Sequence, residues 1–321
     1  MSKHRHLADL QAGESVNDVY YLLEIRRGTA KTGKPYLALR LSDRSGIMEA
    51  RVWNGAETLA PRLAPDSFVR MRGTMESYRQ RLQVNIRDVE PADPATLKQC
   101  DFIPASFRDI EELAGFLRYF LTEVFDPDFS HLLESFFDDE AFMERFIQAP
   151  GDARSHHAYL GGLIEHTVSV ATLCQHVTVQ HPRLDSDLLI TAALLHDIGK
   201  VEEFHCEGRI RYSREGQLLG HVLLGQRLVE NKIRQLGDFP REKELELLHA
   251  MISHHGELEW GAPKRPQSAE ALVLHHIDNL DAKVKGFLEV VEGRGDVGWP
   301  ELQNLFRRPL TEPRAADRPQ T

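Results

Sequence analysis

Thirteen of the sixteen histidines fall between positions 156 and 276, most beside a carboxylate or at the end of an apolar helical run. Histidines that merely decorate a surface do not cluster in this way. His196 and Asp197 close the run Ile190-Thr191-Ala192-Ala193-Leu194-Leu195 and are followed by Ile198-Gly199-Lys200. An adjacent imidazole and carboxylate at a helix end can share one cation, and the second carboxylate oxygen can reach another, which makes Asp197 a natural bridge. Other segments offer one ligand each: His166 in GGLIEHT, His221 after Gly220, His254 in SHHG and Asp278 in HIDN. Mixed imidazole and carboxylate donors suit Mn, Fe, Ni, Co or Zn better than Ca, which prefers all-oxygen cages. Two such ions together can hold a phosphodiester, acidify a shared water and stabilise the entering and leaving oxygens. The chemistry expected is metal-assisted phosphoester hydrolysis.

Any one of these histidines alone would read as a satisfied core or surface residue; the joint pattern reverses that for the six candidates. His249, His275 and His276 keep the structural reading, while His157 in HHAY is either structural or lines the substrate entrance. Lys200 is either a helix-end cation favoured by the macrodipole or a substrate-facing group.

The elements that must hold these groups are helices. Amphipathic periodicity spans 160–180, 187–198, 218–236, 241–254 and 268–292. Residues 101–150 hold ten of the fifteen phenylalanines, at spacings such as Phe116, Phe120 and Phe129, Leu133, Phe136, which predicts helices packed on the same core. Upstream the period changes to two. Runs over Val19–Arg26, Tyr36–Asp43, Gly46–Trp53, Phe68–Tyr78 and Leu82–Glu90 predict five strands, with turn chemistry at 32–35 and 43–46 and a short helix within 56–63. Five strands with a helix after the third is the plan of an OB-fold, which often binds oligonucleotides on its second and third strands. If Leu37, Leu39, Leu41, Met48, Ala50 and Val52 face inward, then Tyr36, Arg40, Arg51 and Trp53 share the outer surface, where they are the expected nucleic-acid-binding residues.

Net charge is -10, but it is unevenly divided. Residues 16–92 carry 13 Lys or Arg against 9 Asp or Glu, whereas 93–321 carry 24 against 38. A mildly basic module joined to an acidic one fits a strand-binding domain beside a domain whose carboxylates take up cations. No run approaches the roughly 20 apolar residues of a membrane span, and the N-terminus lacks a secretory core, so a cytoplasmic protein without a membrane partner is expected. Cys100, Cys174 and Cys206 are too far apart for a zinc pair and read as reduced thiols.

The ordered segments GGLIEHT, LLHDIGK, GH, ISHHG and LHHIDNLDAK resemble the HD superfamily of metallophosphohydrolases. With the upstream barrel, the chain resembles the YhaM-type 3'-5' exoribonucleases of bacteria from the first strand to about residue 290. The resemblance implies a first metal held by His166, His196, Asp197 and Asp278, and a second held by the Asp197 bridge with His221 and His254. Mn2+ is the expected occupant, with Fe, Ni, Co and Zn as alternatives. It further implies that Lys200 faces the substrate phosphate or the attacking water, and that His255 either assists His254 or replaces it. Relatives with a third metal carry Glu where this chain has Gly162, so no third site is expected. The implied architecture is multi-domain α+β: an N-terminal segment (1–15), an OB-fold (16–95), a helical connector (96–150), an all-α HD domain (151–295) and a C-terminal tail (296–321). The implied activity is 3'-5' exonucleolytic cleavage of single-stranded RNA, extending to single-stranded DNA, with nucleoside 5'-monophosphates as products. A barrel of such modest charge should bind a strand weakly, so a homo-oligomer is expected to raise its effective concentration. Two rival readings are a nucleotide or cyclic-nucleotide phosphohydrolase with a regulatory barrel, and a non-catalytic RNA-binding adaptor.

Overall fold

The computed structural model describes residues 5–30, 32–78, 81–153 and 156–291. The chain divides into two compact units, Met1–Pro104 with Cys206–Ile210, and Ala105–His205 with Arg211–Thr321. The expected tail, 296–321, lies outside the described residues.

In the first unit, alternating apolar and polar residues form β1 (Ser15–Thr29), β2 (Pro35–Asp43) and β3 (Gly46–Val52). After the short helix α1 (Ala56–Leu59) come β4 (Ser67–Tyr78) and β5 (Arg81–Pro91). The strands close into a barrel in the order β1-β2-β3-β5-β4, antiparallel except for the β3–β5 pair. This is the five-stranded OB-fold plan. β1 outruns the alternation that announces it because it serves both sides of the barrel. Its first half pairs with β4 up to Leu22, its second half pairs with β2, and a register shift between Leu22 and Glu24 accompanies the change of partner. Leu37, Leu39, Leu41, Ala50 and Val52 are buried inside, each Leu or Val contributing about 1.5–3 kcal/mol.

Residues 96–104, expected to begin the helical connector, group with the barrel instead. The reason is packing: the Phe102 ring meets Phe68 edge-on at 4.7 Å, and Phe68 meets Tyr21 in the same way at 5.1 Å.

The second unit is helical. Its helices are α2 (Ile110–Thr122), α3 (Pro127–Phe137), α4 (Glu140–Gln148), α5 (Gly162–Gln180), α6 (Ser186–Leu195) and α7 (Lys200–Glu203). A hairpin of β6 (Phe204–Glu207) and β7 (Arg209–Tyr212), whose residues Cys206–Ile210 group with the first unit, precedes α8 (Arg214–Leu236), α9 (Arg241–Ser253) and α10 (Ala269–Val291). Asp109, Asp126, Asp139, Asp185 and Ser213 accept backbone N–H bonds as N-caps, each worth about 0.5–2 kcal/mol. The first turns of α5 and most of α6 are buried on every side, which places them at the centre of the unit. The phenylalanine-rich stretch is only partly core. Phe120, Phe129, Phe136 and Phe146 are buried, but Phe107, Phe125 and Phe116 are 84%, 80% and 41% exposed. On α2 the inward stripe is Leu113, Leu117 and Phe120, so Phe116 falls one residue off it, while Phe107 and Phe125 sit in the loops before α2 and α3. No helix among the described residues is long and apolar enough to cross a membrane.

Candidate metal centre and nucleic-acid face

Five helices converge at one point in the second unit. α5 brings His166; α6 ends at its C-cap, His196, with Asp197 next; α9 ends at its C-cap, His254; and α10 brings Asp278. The fifth contribution depends on a kink. Within α8, Gly220 has φ 73° and ψ 159°, a left-handed-side conformation that a side chain would strain, and it swings His221 into the site.

The two oxygens of Asp197 face different partners. Oδ2 lies 3.4 Å from Nε2 of both His166 and His196, whereas Oδ1 lies 3.3 Å from His221 Nε2 and 3.6 Å from His254 Nε2. Asp278 Oδ1 joins the first group at 3.1 Å from His166 Nε2 and 3.9 Å from His196 Nε2. Donors bonded to one ion at about 2.0–2.2 Å stand about this far from one another. On the second side, Asp197 Oδ1, His221 Nε2, His254 Nε2 and His255 Nδ1 are all buried and without a hydrogen-bond partner among the described residues. Orphaned acceptors of this kind cost about 1–3 kcal/mol each. A cation is the group that such a donor set fits, and His255, with a ring nitrogen within 4.8 Å of those of His221 and His254, belongs to it.

The opposite edge of each imidazole fixes its orientation. His196 Nδ1 donates to the Ala193 carbonyl at 2.9 Å and His254 Nδ1 to the Met251 carbonyl at 2.5 Å. His166 Nδ1 donates to Asp281 Oδ2 at 2.7 Å, and His221 Nδ1 to the Glu203 carboxylate at 3.1 Å. Carbonyl and carboxylate oxygens only accept, so in these four rings Nδ1 carries its proton and Nε2 is the atom turned to the centre. Asp281 and Glu203, which orient two of the candidate ligands, are the site residues that the sequence did not single out. The signal for Asp281 was its place three residues beyond Asp278 in DNLD, on the same helix face.

Burial opposes every charge in the centre, and the neighbours decide what survives. His166 is desolvated, yet bonds to Asp278 and Asp281 hold its pKa up at about 10. Burial also works against Asp197, but Lys200 and the imidazoles keep its carboxyl well below the usual range. His254 has burial and its imidazole neighbours acting together, and its pKa falls well below the ordinary value. Without metal, the His166 proton therefore sits among His196, Asp197 and Asp278, where a cation would sit.

A cavity of about 290 Å³ opens over these groups, lined among others by Asp197, Lys200, His221, His254, His255 and Asp278. Lys200 is buried and its Nζ lies 2.5 Å from Asp197 Oδ2. His157 is 2% exposed and stands behind His166, bonded to Tyr159 at 2.9 Å and Asp281 at 3.2 Å; its neighbour His156 lines the cavity instead. His275 bonds the His254 carbonyl at 2.8 Å, His249 accepts from the Gln267 N–H at 2.9 Å, and His276 faces solvent.

On the barrel, Tyr36 and Trp53 form a ring pair with centroids 4.9 Å apart, and Trp53 is 39% exposed. A Cβ on Gly28 would fall 2.4 Å from the Tyr36 ring, so the glycine provides the bed on which that ring lies. Arg40 is 3.6 Å from Glu24 and 3.9 Å from Glu49, and Arg51 is 2.9 Å from Glu49. Exposed pairs of this kind are worth about 0–1 kcal/mol, so a phosphate can displace the glutamates at small cost.

Residues 163–283 match the family model described as HD domain, and residues 22–92 match that described as OB-fold nucleic acid binding domain. The chain is 34% identical over 276 residues to the 3'-5' exoribonuclease YhaM of Bacillus licheniformis, a match that covers 85% of this chain and 87% of that one. The proteins of the same name from Bacillus velezensis and Bacillus subtilis are 33% and 32% identical over 275 residues, with the same coverage of both chains.

Proposed function

Since the chain belongs to the YhaM family of 3'-5' exoribonucleases, we propose that it shortens single-stranded RNA from the 3' end and acts on single-stranded DNA by the same chemistry. The observation that carries this reading is Asp197, whose two oxygens turn toward two separate groups of imidazoles. One divalent ion is assigned to His166, His196, Asp197 and Asp278, and a second to Asp197, His221, His254 and His255, with Mn2+ as the expected occupant. Such a pair supplies Lewis-acid polarisation of the phosphodiester and a water acidified enough to attack it at neutral pH.

The chain's own residues perform the rest. Asp281 and Glu203 hold His166 and His221 in the tautomer that presents Nε2. Lys200, fixed against Asp197, is a cation beside the position of a scissile phosphate. Tyr36 and Trp53 offer ring faces to bases, and Arg40 and Arg51 offer guanidinium groups to phosphates, a combination that retains a strand with little regard to sequence.

The test is product analysis. Purified protein with Mn2+ and a 5'-labelled single strand should give a ladder of progressively shorter labelled products and release nucleoside 5'-monophosphates. Failure to shorten the strand with any divalent ion, while a mononucleotide or cyclic dinucleotide is hydrolysed, would replace this reading with that of a small-nucleotide phosphohydrolase.

A further inference from the structure

The cavity over the candidate metal centre is lined largely by carboxylates and imidazoles, groups suited to ions and phosphate. One wall differs. Phe204 and Tyr212, at the two ends of the β6–β7 hairpin, both line it, with ring centroids 5.1 Å apart and planes inclined at 50°. Tyr212 is 46% exposed.

The position of the pair is tied to His221 through Glu203 and its hydrogen bonds. Phe204 directly follows Glu203, whose carboxylate accepts both the backbone N–H of His221, at 3.0 Å, and its ring Nδ1–H. The segment that orients a ligand on the second-metal side therefore also carries the first ring, within about one residue's length, 3.8 Å between Cα atoms. A third aromatic in the same cavity, Trp260, has Lys283 Nζ over its ring at 5.5 Å and His275 against it at 6.0 Å.

We infer that Phe204 and Tyr212 form a base platform, which stacks one of the two nucleobases flanking the scissile phosphate and so sets the depth at which the strand enters the metal centre. The inference rests on the nuclease reading above. Every base has a π face, so the platform accepts all four bases, while a substrate lacking the base forfeits the contact.

Two measurements test it on the full-length protein. In the first, single-turnover removal of the 3' nucleotide with Mn2+ is compared for an intact oligoribonucleotide and for two analogues with an abasic ribose at the last or next-to-last position. The Phe204→Leu/Tyr212→Leu variant should slow the intact substrate by roughly five- to hundredfold, the loss of one base stack. On one of the two abasic analogues, which has no base to stack there, it should match the unaltered protein. Tyr212→Phe, which keeps the ring, should preserve the rate on every substrate. In the second, 2-aminopurine at the same position should be quenched on binding to the metal-free protein and remain bright with the double variant. Equal slowing on intact and abasic strands, or no slowing on either, would overturn the inference. If the unaltered protein shortens none of these strands, it is the nuclease reading that fails, and the fluorescence arm still reports on the platform.

Discussion

Nδ1 of His166 donates to Asp281 at 2.7 Å while Nε2 of the same ring points to Asp278 at 3.1 Å, so two carboxylates three residues apart on α10 grip opposite edges of one imidazole. Ser169 donates to the other oxygen of Asp281, and His157 reaches the same carboxylate, which keeps Asp281 from turning away. Removing a group that orients a metal ligand typically lowers affinity by about 10- to 100-fold. Asp281→Ala should weaken metal binding by that factor, and Asp281→Asn, which still accepts from Nδ1, should recover part of it. Titration calorimetry with Mn2+ checks this; an unchanged dissociation constant would show that Asp281 does not act through His166.

A raised imidazole pKa has a defined sign. The stability that the protonated His166 confers on the metal-free fold is complete below about 6.5, the ordinary value, and is lost as pH rises through about 10. Metal must displace that proton, so affinity should climb as pH rises across the same interval. At pH 7.5, calorimetry in buffers of different ionisation enthalpy should register close to one proton released from this site per ion bound; a binding heat independent of the buffer would contradict the assignment.

Asp197 turns one oxygen toward each group of imidazoles but is far in sequence from the barrel. Asp197→Ala should abolish hydrolysis, a loss of about 10³-fold or more given the several kcal/mol a metal site supplies to a transition state. RNA affinity measured by filter binding should change little. Parallel loss of binding and cleavage would mean that strand retention depends on the metal centre.

How far the sequence disclosed these features follows from the range of the interaction behind each one. The barrel was legible because Leu37, Leu39 and Leu41 alternate with polar neighbours, a local consequence of pleating. The extension of β1 to Ser15 was not, since it depends on which strand each half pairs with. The candidate ligands His196 and Asp197 stand out by residue type and position at a helix end, whereas the bonds of Glu203 to His221 appear only when α8 is kinked over it. The strands β6 and β7, four residues each, are too short to display a period. Phe116 was misassigned to the core because the i, i+4 spacing to Phe120 fits a buried stripe as well as Leu113 and Leu117 do, and only packing separates them.

The barrel face carries two kinds of contact, and they should fail differently. Trp53→Ala should lower RNA affinity by about 1–3 kcal/mol, the worth of one base stack, at any salt concentration. Arg40→Ala should act through salt, reducing the slope of log K against log salt by roughly 0.7, the value for one phosphate on a single strand. Binding isotherms at three or more salt concentrations distinguish the two. A salt slope left intact by Arg40→Ala would mean that Arg40 remains with Glu24 and Glu49 when RNA is bound.

Gly199, between the Asp197 bridge and Lys200, has ordinary helical angles, φ -65° and ψ -16°, so a side chain there would not strain its backbone. Space is what it lacks: a Cβ would stand 2.1 Å from the carbonyl oxygen of His221 and 2.4 Å from the amide nitrogen of Gly225. Both obstacles are backbone, so relief requires moving α8, and with it the His221 ring 3.3 Å from Asp197 Oδ1. Overpacking of this sort costs about 1–3 kcal/mol, which in a domain of this size lowers Tm by roughly 2–12 °C. Gly199→Ala should therefore reduce stability and, in a metal titration, weaken the second ion more than the first. Gly115→Ala makes the same chemical change in exposed α2 with nothing within 4 Å of the new Cβ. There it should raise stability by about 0.5–1 kcal/mol, the helix preference of alanine over glycine. Opposite signs for the two substitutions in thermal unfolding would separate close approach from helix propensity; a stabilised Gly199→Ala protein with both ions bound would show that α8 does not rest on this glycine.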